Sequence, residues 1–393
     1  MTTSRQAVLI VGASVGGVRC ALGLRDAGFS GPITLLDVES SAPYDKPQLS
    51  KHLGKDDALE LLATPELLHE RDIEFQPGTT AVGLDLAGRV ETTSGLRSYD
   101  HLVIASGCRP RELLTPLPLH ASYVRTQSNW ERLKSAAERG GRLLVVGAGF
   151  LGLEAAAAGT GAGMSATVID VAPKVLQRGI PGVAADLIAA RHSAEGVDLR
   201  MGVGDATLGG DRDHVWVDGV KGDFAVVSIG AVPNVEWLEG SGLILENGVV
   251  CDETLSAAQG VWAVGDCARW HNSRYDRMER VEHWTTAVKQ AQHVASSIAT
   301  GEARAFGDVP YVWSDQFNWK IQTVGKTAVG AMHYVSDNGA HVVLSTDGDR
   351  VTGVTTINAQ AICLRARQLL QGGDPSLDDV AAGLHLDKLT LVA

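Results

Sequence analysis

Cysteine is scarce in this sequence. Cys20, Cys108, Cys251, Cys267 and Cys363 are the whole complement in 393 residues, and no two stand in a C-x-x-C or C-x-x-x-x-C spacing. Their odd number and wide separation exclude a disulfide framework and a zinc-finger pattern, so buried, inert thiols and no metal site are expected. No stretch approaches the roughly 18 uninterrupted apolar residues of a membrane span. The first apolar run, residues 7–11, is far below the length of a signal core and ends in a glycine turn. The expectation is a soluble cytoplasmic protein with no membrane contact. Basic charge is also short, with 34 Lys and Arg against 46 Asp and Glu and a net charge of -12. A chain lacking a broad basic footprint is not expected to bind nucleic acid. Collagen-like and low-complexity repeats are absent too.

What is present is an ordinary globular composition, 45% apolar and 20% charged, over a length that suggests two or three domains. Glycine is abundant at 45 residues. Without a repeat to explain them, the glycines are expected to serve tight turns and close backbone approaches.

Two stretches use glycine in one way. Residues 7–11 form an apolar strand, Gly12 to Gly17 (G-A-S-V-G-G) a turn, residues 18–27 a helix closed by Gly28, and residues 33–36 a second strand ending at Asp37. The same grammar returns 135 residues later: strand 142–146, turn Gly147 to Gly152 (G-A-G-F-L-G), helix 153–162, and strand 166–169 ending at Asp170. Each is a βαβ unit of dinucleotide-binding type. Gly12 and Gly147 permit the tight turn. Ser14 and Gly149 let backbone approach a pyrophosphate, and Gly17 and Gly152 let helix and strand pack closely. The free N–H groups at each helix start then face the diphosphate. An acid roughly 20 residues on accepts ribose hydroxyls. Asp37 or Glu39 fills that place in the first module, and Asp170 fills it in the second. Asp170 repels a 2′-phosphate, with Lys174 and Arg178 the nearest bases, so NADH is expected over NADPH.

Further strands run into glycine at residues 102–105, 225–229 and 261–264, the last entering Gly265-Asp266. A carboxylate there can reach a flavin's ribityl chain, although Gly-Asp is equally a turn. Two modules suggest two dinucleotides, most simply a bound FAD and a diffusing nicotinamide. From about residue 309 the texture changes to short alternating runs (321–324, 341–345, 351–356) before a helix near 359–370. Residues 372–393 are weakly patterned. The expected class is α/β, with two Rossmann-type dinucleotide-binding domains plus a small α+β C-terminal domain. Residues 1–110 and 232–308 form a discontinuous FAD-binding domain, 111–231 the NAD-binding domain, and 309–393 the C-terminal domain.

With these pieces assembled, the chain resembles the NADH-dependent ferredoxin reductases of aromatic-ring dioxygenase and cytochrome P450 systems, within the wider pyridine-nucleotide flavoprotein group. The resemblance runs from about residue 7 to 370. It rests most specifically on Pro43-Tyr44-Asp45-Lys46-Pro47-Gln48-Leu49-Ser50-Lys51, Val264-Gly265-Asp266-Cys267-Ala268, Glu282-His283-Trp284 and Trp313-Ser314-Asp315-Gln316. It implies Lys51 near the flavin ring and Glu154 near the nicotinamide, as a pair at the hydride-transfer site. It also implies Asp266 on the ribityl chain, Glu282, Trp284 and Trp313 in the flavin site, and Val82 and Arg125 touching the FAD. Core packing is the alternative for each Trp. The sequence departs from the family in Ala105-Ser106-Gly107, Gln48 and Val38, the last leaving the ribose to Asp37 or Glu39.

The implied activity is hydride transfer from NADH to FAD, followed by release of single electrons to a 2Fe–2S ferredoxin. An acidic carrier calls for a basic face, for which Arg269, Arg274, Arg277, Arg280, Lys289 and Lys320 are candidates; internal ion pairing to Asp276 and Glu279 is the alternative. A monomer or weak homodimer is expected. Disulfide reductases need a redox cysteine that the stretch 44–51 lacks. An NADH oxidase passing electrons to oxygen or a quinone, and an NADH-binding redox sensor, remain as competing readings.

Overall fold

The computed structural model describes residues 6–54, 56–177, 179–204, 206–327 and 330–392; Arg178 lies outside them. The chain divides into two compact units. One comprises Met1–Lys46, Leu59–Arg109 and Ala231–Asp308, and the other Pro47–Ala58, Pro110–Gly230 and Val309–Ala393.

In the first unit the apolar strand Val8–Val11 is buried on both faces, as a parallel strand in a sheet covered on both sides must be. It pairs in parallel with Ile33–Leu36 on one side and His101–Ile104 on the other. Ile73–Gln76 extends the sheet beyond Ile33–Leu36, and Val261–Ala263 and Ser256–Ala258 extend it beyond His101–Ile104. Strand order therefore reverses beside Val8–Val11, and the Gly12 turn lies at that switch point, where open α/β sheets bind ligands. The helix Val15–Asp26 starts three residues earlier than its apolar spacing suggests. It stops where expected. Gly28 is left-handed (φ +83) and donates to the Arg25 carbonyl, while the Phe29 N–H reaches Leu24.

The second unit repeats this arrangement. Arg142–Val146 pairs in parallel with Ser165–Asp170 and Phe224–Val227 in a five-stranded sheet. The helix Phe150–Gly161 follows the Gly147 turn, and Gly163 (φ +91) closes it through the same two bonds as Gly28. Residues 309–392 form a six-stranded sheet, antiparallel throughout. Val324, Leu344 and Val354 from the sheet share a core with Cys363, Ala366, Leu370, Val380 and Leu384 from the helices Gln360–Gly372 and Leu377–Leu384.

Two features differ from the sequence reading. The weakly patterned tail contains the helix Leu377–Leu384, opened by a reciprocal Ser376–Asp379 capping box, and the edge strand Thr390–Val392. The cap is a local signal. The strand is set by its pairing with Met332–Tyr334. Second, the segment Pro47–Ala58 clusters with the second unit rather than with the first dinucleotide module. The Trp130 indole N–H donates to the His52 carbonyl at 2.6 Å, and Lys134 Nζ donates to the Asp57 carbonyl at 2.6 Å. These bonds cross about 80 residues of sequence and have no local signature.

Candidate functional site

The two glycine turns are near copies. Gly12 and Gly147 both have φ +107, and a Cβ on either would lie 2.3 or 2.2 Å from a neighbouring carbonyl oxygen. A Cβ on Gly17 or Gly152 would strike the Gly12 or Gly147 carbonyl at 1.8 or 2.0 Å. The middle position is different. Ser14 and Gly149 are helix N-caps with nearly the same extended backbone (φ -79 and -78), and neither makes a side-chain cap bond. Around Gly149 a Cβ would meet nothing within 4 Å. The fold does not require glycine there; only a ligand seated against the backbone would. Neither helix has an acid in its first turn, so both N-termini are electrostatically open to a phosphate.

The acids after the second strands do more than face a ribose. Asp170 accepts from the Ala148 N–H at 2.6 Å and the Ala172 N–H at 2.8 Å. Asp37 holds the equivalent Ala13 and Glu39 N–H groups. Each acid thus clamps its own glycine turn, leaving lone pairs free for a hydroxyl. Burial raises the Asp37 pKa, with the Glu39 N–H working against it. Glu39 is pinned by Lys46 Nζ at 2.5 Å and the Tyr44 hydroxyl at 2.7 Å. Lys174 is held by Asp186 at 3.0 Å, which removes the nearest described base from Asp170.

Elsewhere in the first unit, the Gly265 N–H donates to buried Gln290 at 2.8 Å, and Asp266 accepts from the Cys108 thiol at 3.1 Å. The Trp284 indole donates to Asp45 at 2.8 Å, so this ring is oriented and not merely packed. Glu282 pairs with Arg280 at 2.6 Å. Val82, in the strand Ala81–Asp85, is half exposed.

The second unit contains the densest polar cluster. Glu154 stands one turn into the helix Phe150–Gly161 and is buried. Ser50 Oγ donates to its Oε2 at 2.6 Å, Ser314 Oγ to its Oε1 at 2.5 Å, and Lys51 Nζ lies 3.4 Å from Oε1. Lys51 also meets Asp315 at 3.4 Å and lies 5.6 Å from the Trp313 ring centre. Burial raises the Glu154 pKa, and Lys51 and the two hydroxyls oppose it. The three donors offset the cost of burying this carboxylate. The structure therefore joins Lys51, Glu154 and Trp313, as the resemblance implies. It adds Ser50, Ser314, Gln316 and His192, which sequence reasoning did not single out although the first three stand in or beside the quoted segments. Arg125 is outside this cluster; its backbone N–H caps onto Asn129.

The six basic candidates do not form a free positive face. Arg269 pairs with Glu246, Arg277 with Glu279, Arg280 with Glu282, Lys289 with Asp308 and Lys320 with Asp315. Arg274 lies against the Tyr275 ring. Of the two expected internal partners, Glu279 thus pairs with Arg277, and Asp276 lies 3.1 Å from His271 Nε2. All five cysteines are free and buried, and burial pushes the Cys20 thiol up to about 12. Among the described residues no side-chain group could hold a metal, and no helix is long and apolar enough to cross a membrane.

Two family models match nearly the whole chain. Residues 6–291 match the pyridine nucleotide-disulphide oxidoreductase family, and residues 311–387 match the reductase C-terminal family. The chain is 33% identical to rhodocoxin reductase of Rhodococcus erythropolis, over 98% of this chain and 94% of that one. It is 32% identical to the ferredoxin–NAD(+) reductase component of the anthranilate 1,2-dioxygenase system of Burkholderia cepacia, over 96% and 98%. Among solved structures it is similar to a chain of the covalent putidaredoxin reductase–putidaredoxin complex, with a TM-score of 0.88 and 29% identity over 98% of this chain and 100% of that one.

Proposed function

The chain belongs to the pyridine nucleotide-disulphide oxidoreductases, and on that footing we propose that it is an FAD-dependent reductase that takes hydride from NADH and delivers single electrons to a 2Fe–2S ferredoxin feeding an oxygenase or cytochrome P450. The carrying observation is the buried Lys51–Glu154 pair with its two hydroxyl donors. No cysteine lies in this cluster, and every described thiol is sealed in the core. Reducing equivalents must then leave to an external acceptor rather than to a protein disulfide. The relatives named for ferredoxin-type carriers support the choice of acceptor.

Bound FAD would supply the hydride acceptor and the conversion of a two-electron to a one-electron donor. The protein supplies position and electrostatics. Gly12, Ser14 and Gly17 would hold one pyrophosphate and Gly147, Gly149 and Gly152 the other, with Asp37 and Asp170 to accept ribose hydroxyls. Asp266, turned by the Cys108 thiol, serves the flavin's polyol chain, with Gly265 shaping the turn. Trp284, Glu282, Val82, Arg125 and Glu39 border the FAD. Lys51 and Glu154 would present a fixed charge pair to the bound nicotinamide, and Trp313 would border the site beside Lys51. For carrier docking, Arg277 and Lys320 are the exposed bases, whereas the Arg280 side chain is only 11% exposed and braces the Asp266 carbonyl at 3.0 Å.

The test is NADH-driven cytochrome c reduction with and without a panel of 2Fe–2S ferredoxins, with oxygen uptake recorded alongside. Stimulation by one ferredoxin that weakens with salt supports the reductase. NADH oxidation matched by oxygen uptake, with no ferredoxin effect, replaces it with an oxidase. A stable reduced flavin with little turnover under either condition replaces it with a sensor.

A further inference from the structure

Glu154 is the end of a longer buried chain of hydrogen bonds. Ser314 Oγ, which donates to Glu154, accepts from Gln316 Nε2 at 3.1 Å, and Gln316 Oε1 lies 2.9 Å from His192 Nε2. Glu154, Ser314, Gln316 and His192 are all buried, Ser314 and His192 completely. The direction of the chain follows from its end. A carboxylate only accepts, and a serine hydroxyl has one proton to give. Ser314 therefore accepts from the Gln316 amide nitrogen. That leaves the amide oxygen facing His192, so His192 must carry its proton on Nε2.

Two observations show that this histidine is not simply filling space. Its Nδ1 is buried with no partner among the described residues, and the neutral Nε2–H form makes that atom a bare lone pair. An unpartnered buried nitrogen is costly, and a leucine would occupy the site without it. Burial lowers the His192 pKa, which keeps the ring neutral. The second observation is backbone strain. Phe317 adopts φ +54 in the two-residue turn between the strands Tyr311–Gln316 and Trp319–Gly325. A large side chain is an outlier there, and Asn or Gly would make the turn without strain. The Phe317 ring stands edge-on to the His192 ring, centroids 5.0 Å apart at 65°. Next to it, Asn318 accepts from Arg191 at 3.0 Å. Gln316 at the strand end and the two turn residues Phe317 and Asn318 thus grip the Arg191–His192 pair at the end of the helix Gly182–Ala194.

Resting on the hydride-transfer role given above to Glu154, we propose that His192 is a positioning residue for that carboxylate, acting through Gln316 and Ser314. The chain fixes the Ser314 proton on Glu154 Oε1, the oxygen that also faces Lys51. Without His192, the Gln316 amide oxygen loses the donor that anchors the side chain, and Ser314 in turn loses a firmly held donor for its hydroxyl oxygen. The carboxylate then no longer holds Lys51 in one place. His192 does not itself touch substrate.

The experiment is rapid-mixing flavin reduction by NADH in the holoenzyme, reading the limiting rate and the half-saturating NADH separately. His192→Leu is expected to lower the limiting rate about fivefold to tenfold, the worth of one well-made hydrogen bond, with half-saturation moved less than about twofold. His192→Gln, whose amide N–H can reach the Nε2 position, is expected to stay within about twofold of the parent. In a Glu154→Gln background the His192→Leu effect is expected to shrink below about twofold, because the two act as one unit. Equal rates for His192→Leu and His192→Gln overturn the proposal, as does an undiminished His192→Leu effect in the Glu154→Gln background. Should His192→Leu fail to fold, Gln316→Glu decides. It still accepts from His192 but cannot donate to Ser314, so an unchanged rate refutes the chain. A Glu154→Gln variant that reduces flavin at the parental rate removes the hydride-transfer reading itself and the proposal with it. A slow Glu154→Gln with indifferent His192 variants removes the positioning role alone.

Discussion

His283 gives the first unit a specific acid sensitivity. It is the N-cap of the helix Trp284–Thr300, with extended backbone and no side-chain cap bond. Its Nδ1 is buried without a partner among the described residues, and burial pushes the imidazole down to about 4, against the opposing pull of the Asp266 carboxylate. An unfolded histidine titrates near 6.5. Between these values the unfolded chain binds a proton that the folded chain refuses. The stability is therefore fully present above about 6.5 and is lost as pH falls toward the folded value. The slope is about 1.4 kcal/mol per pH unit, so going from about pH 6.5 to about pH 5 costs about 2 kcal/mol from this residue. Burial lowers His101, His192, His293 and His341 as well, so total acid sensitivity is not diagnostic. The comparison with His283→Asn is, because asparagine does not titrate and is a favoured N-cap. Urea denaturation of both proteins with saturating FAD, at the two pH values, is expected to show the variant gaining about 2 kcal/mol on the parent at the lower pH. Equal pH dependence within about 0.5 kcal/mol would refute the buried neutral imidazole.

Further expectations concern the second unit. Gly152→Ala puts a Cβ 2.0 Å from the Gly147 carbonyl oxygen, so thermal stability should fall by about 2 kcal/mol or more. Gly149→Ala meets no protein atom; its melting temperature should hold while half-saturating NADH rises about tenfold. Equal thermal losses would show that the two glycines are not separated into fold and ligand roles. Asp186→Asn releases Lys174, and kcat/KM for NADPH should rise about twofold to fivefold, a small effect because the pair is exposed. On the proposed role, Glu154 works as the carboxylate, and burial raises its pKa, so the limiting rate of flavin reduction should fall in acid with a midpoint above the ordinary carboxyl value, and Glu154→Gln should lack that limb. A parent whose rate is flat through mild acid would contradict the raised carboxyl.

Local sequence carried much of the fold because its signals are local. Gly12 and Gly147 need φ +107, Gly17 and Gly152 lie against a carbonyl, and Gly28 closes its helix left-handed; each of these constraints acts within a few residues. Period also marked the buried strands. It missed the helix Leu377–Leu384, although Ser376 and Asp379 stand at capping-box spacing, because the flanking stretch has little apolar rhythm. Asp37 and Asp170 were legible as acids at the right offset, but not as clamps on their own turns. Charge counting found Arg269, Arg280, Lys289 and Lys320 but could not see Glu246, Glu282, Asp308 and Asp315 beside them; of the two internal partners it did name, Glu279 pairs with Arg277. Neutralisation between side chains is a property of distance in space.

The sequence by itself thus determined the two glycine turns, the strands and helices around them, and the absence of a redox cysteine at the stretch before Lys51. Tertiary structure alone decided the cluster that could do chemistry. Ser50, Glu154, His192 and Ser314 come from four separate elements, and Lys51 reaches Glu154 only because Pro47–Ala58 leaves the first module for the second unit. The physical reason is the same in each case. Turn geometry depends on the few residues that make the turn. A buried carboxylate keeps its charge only if distant parts of the chain bring it donors.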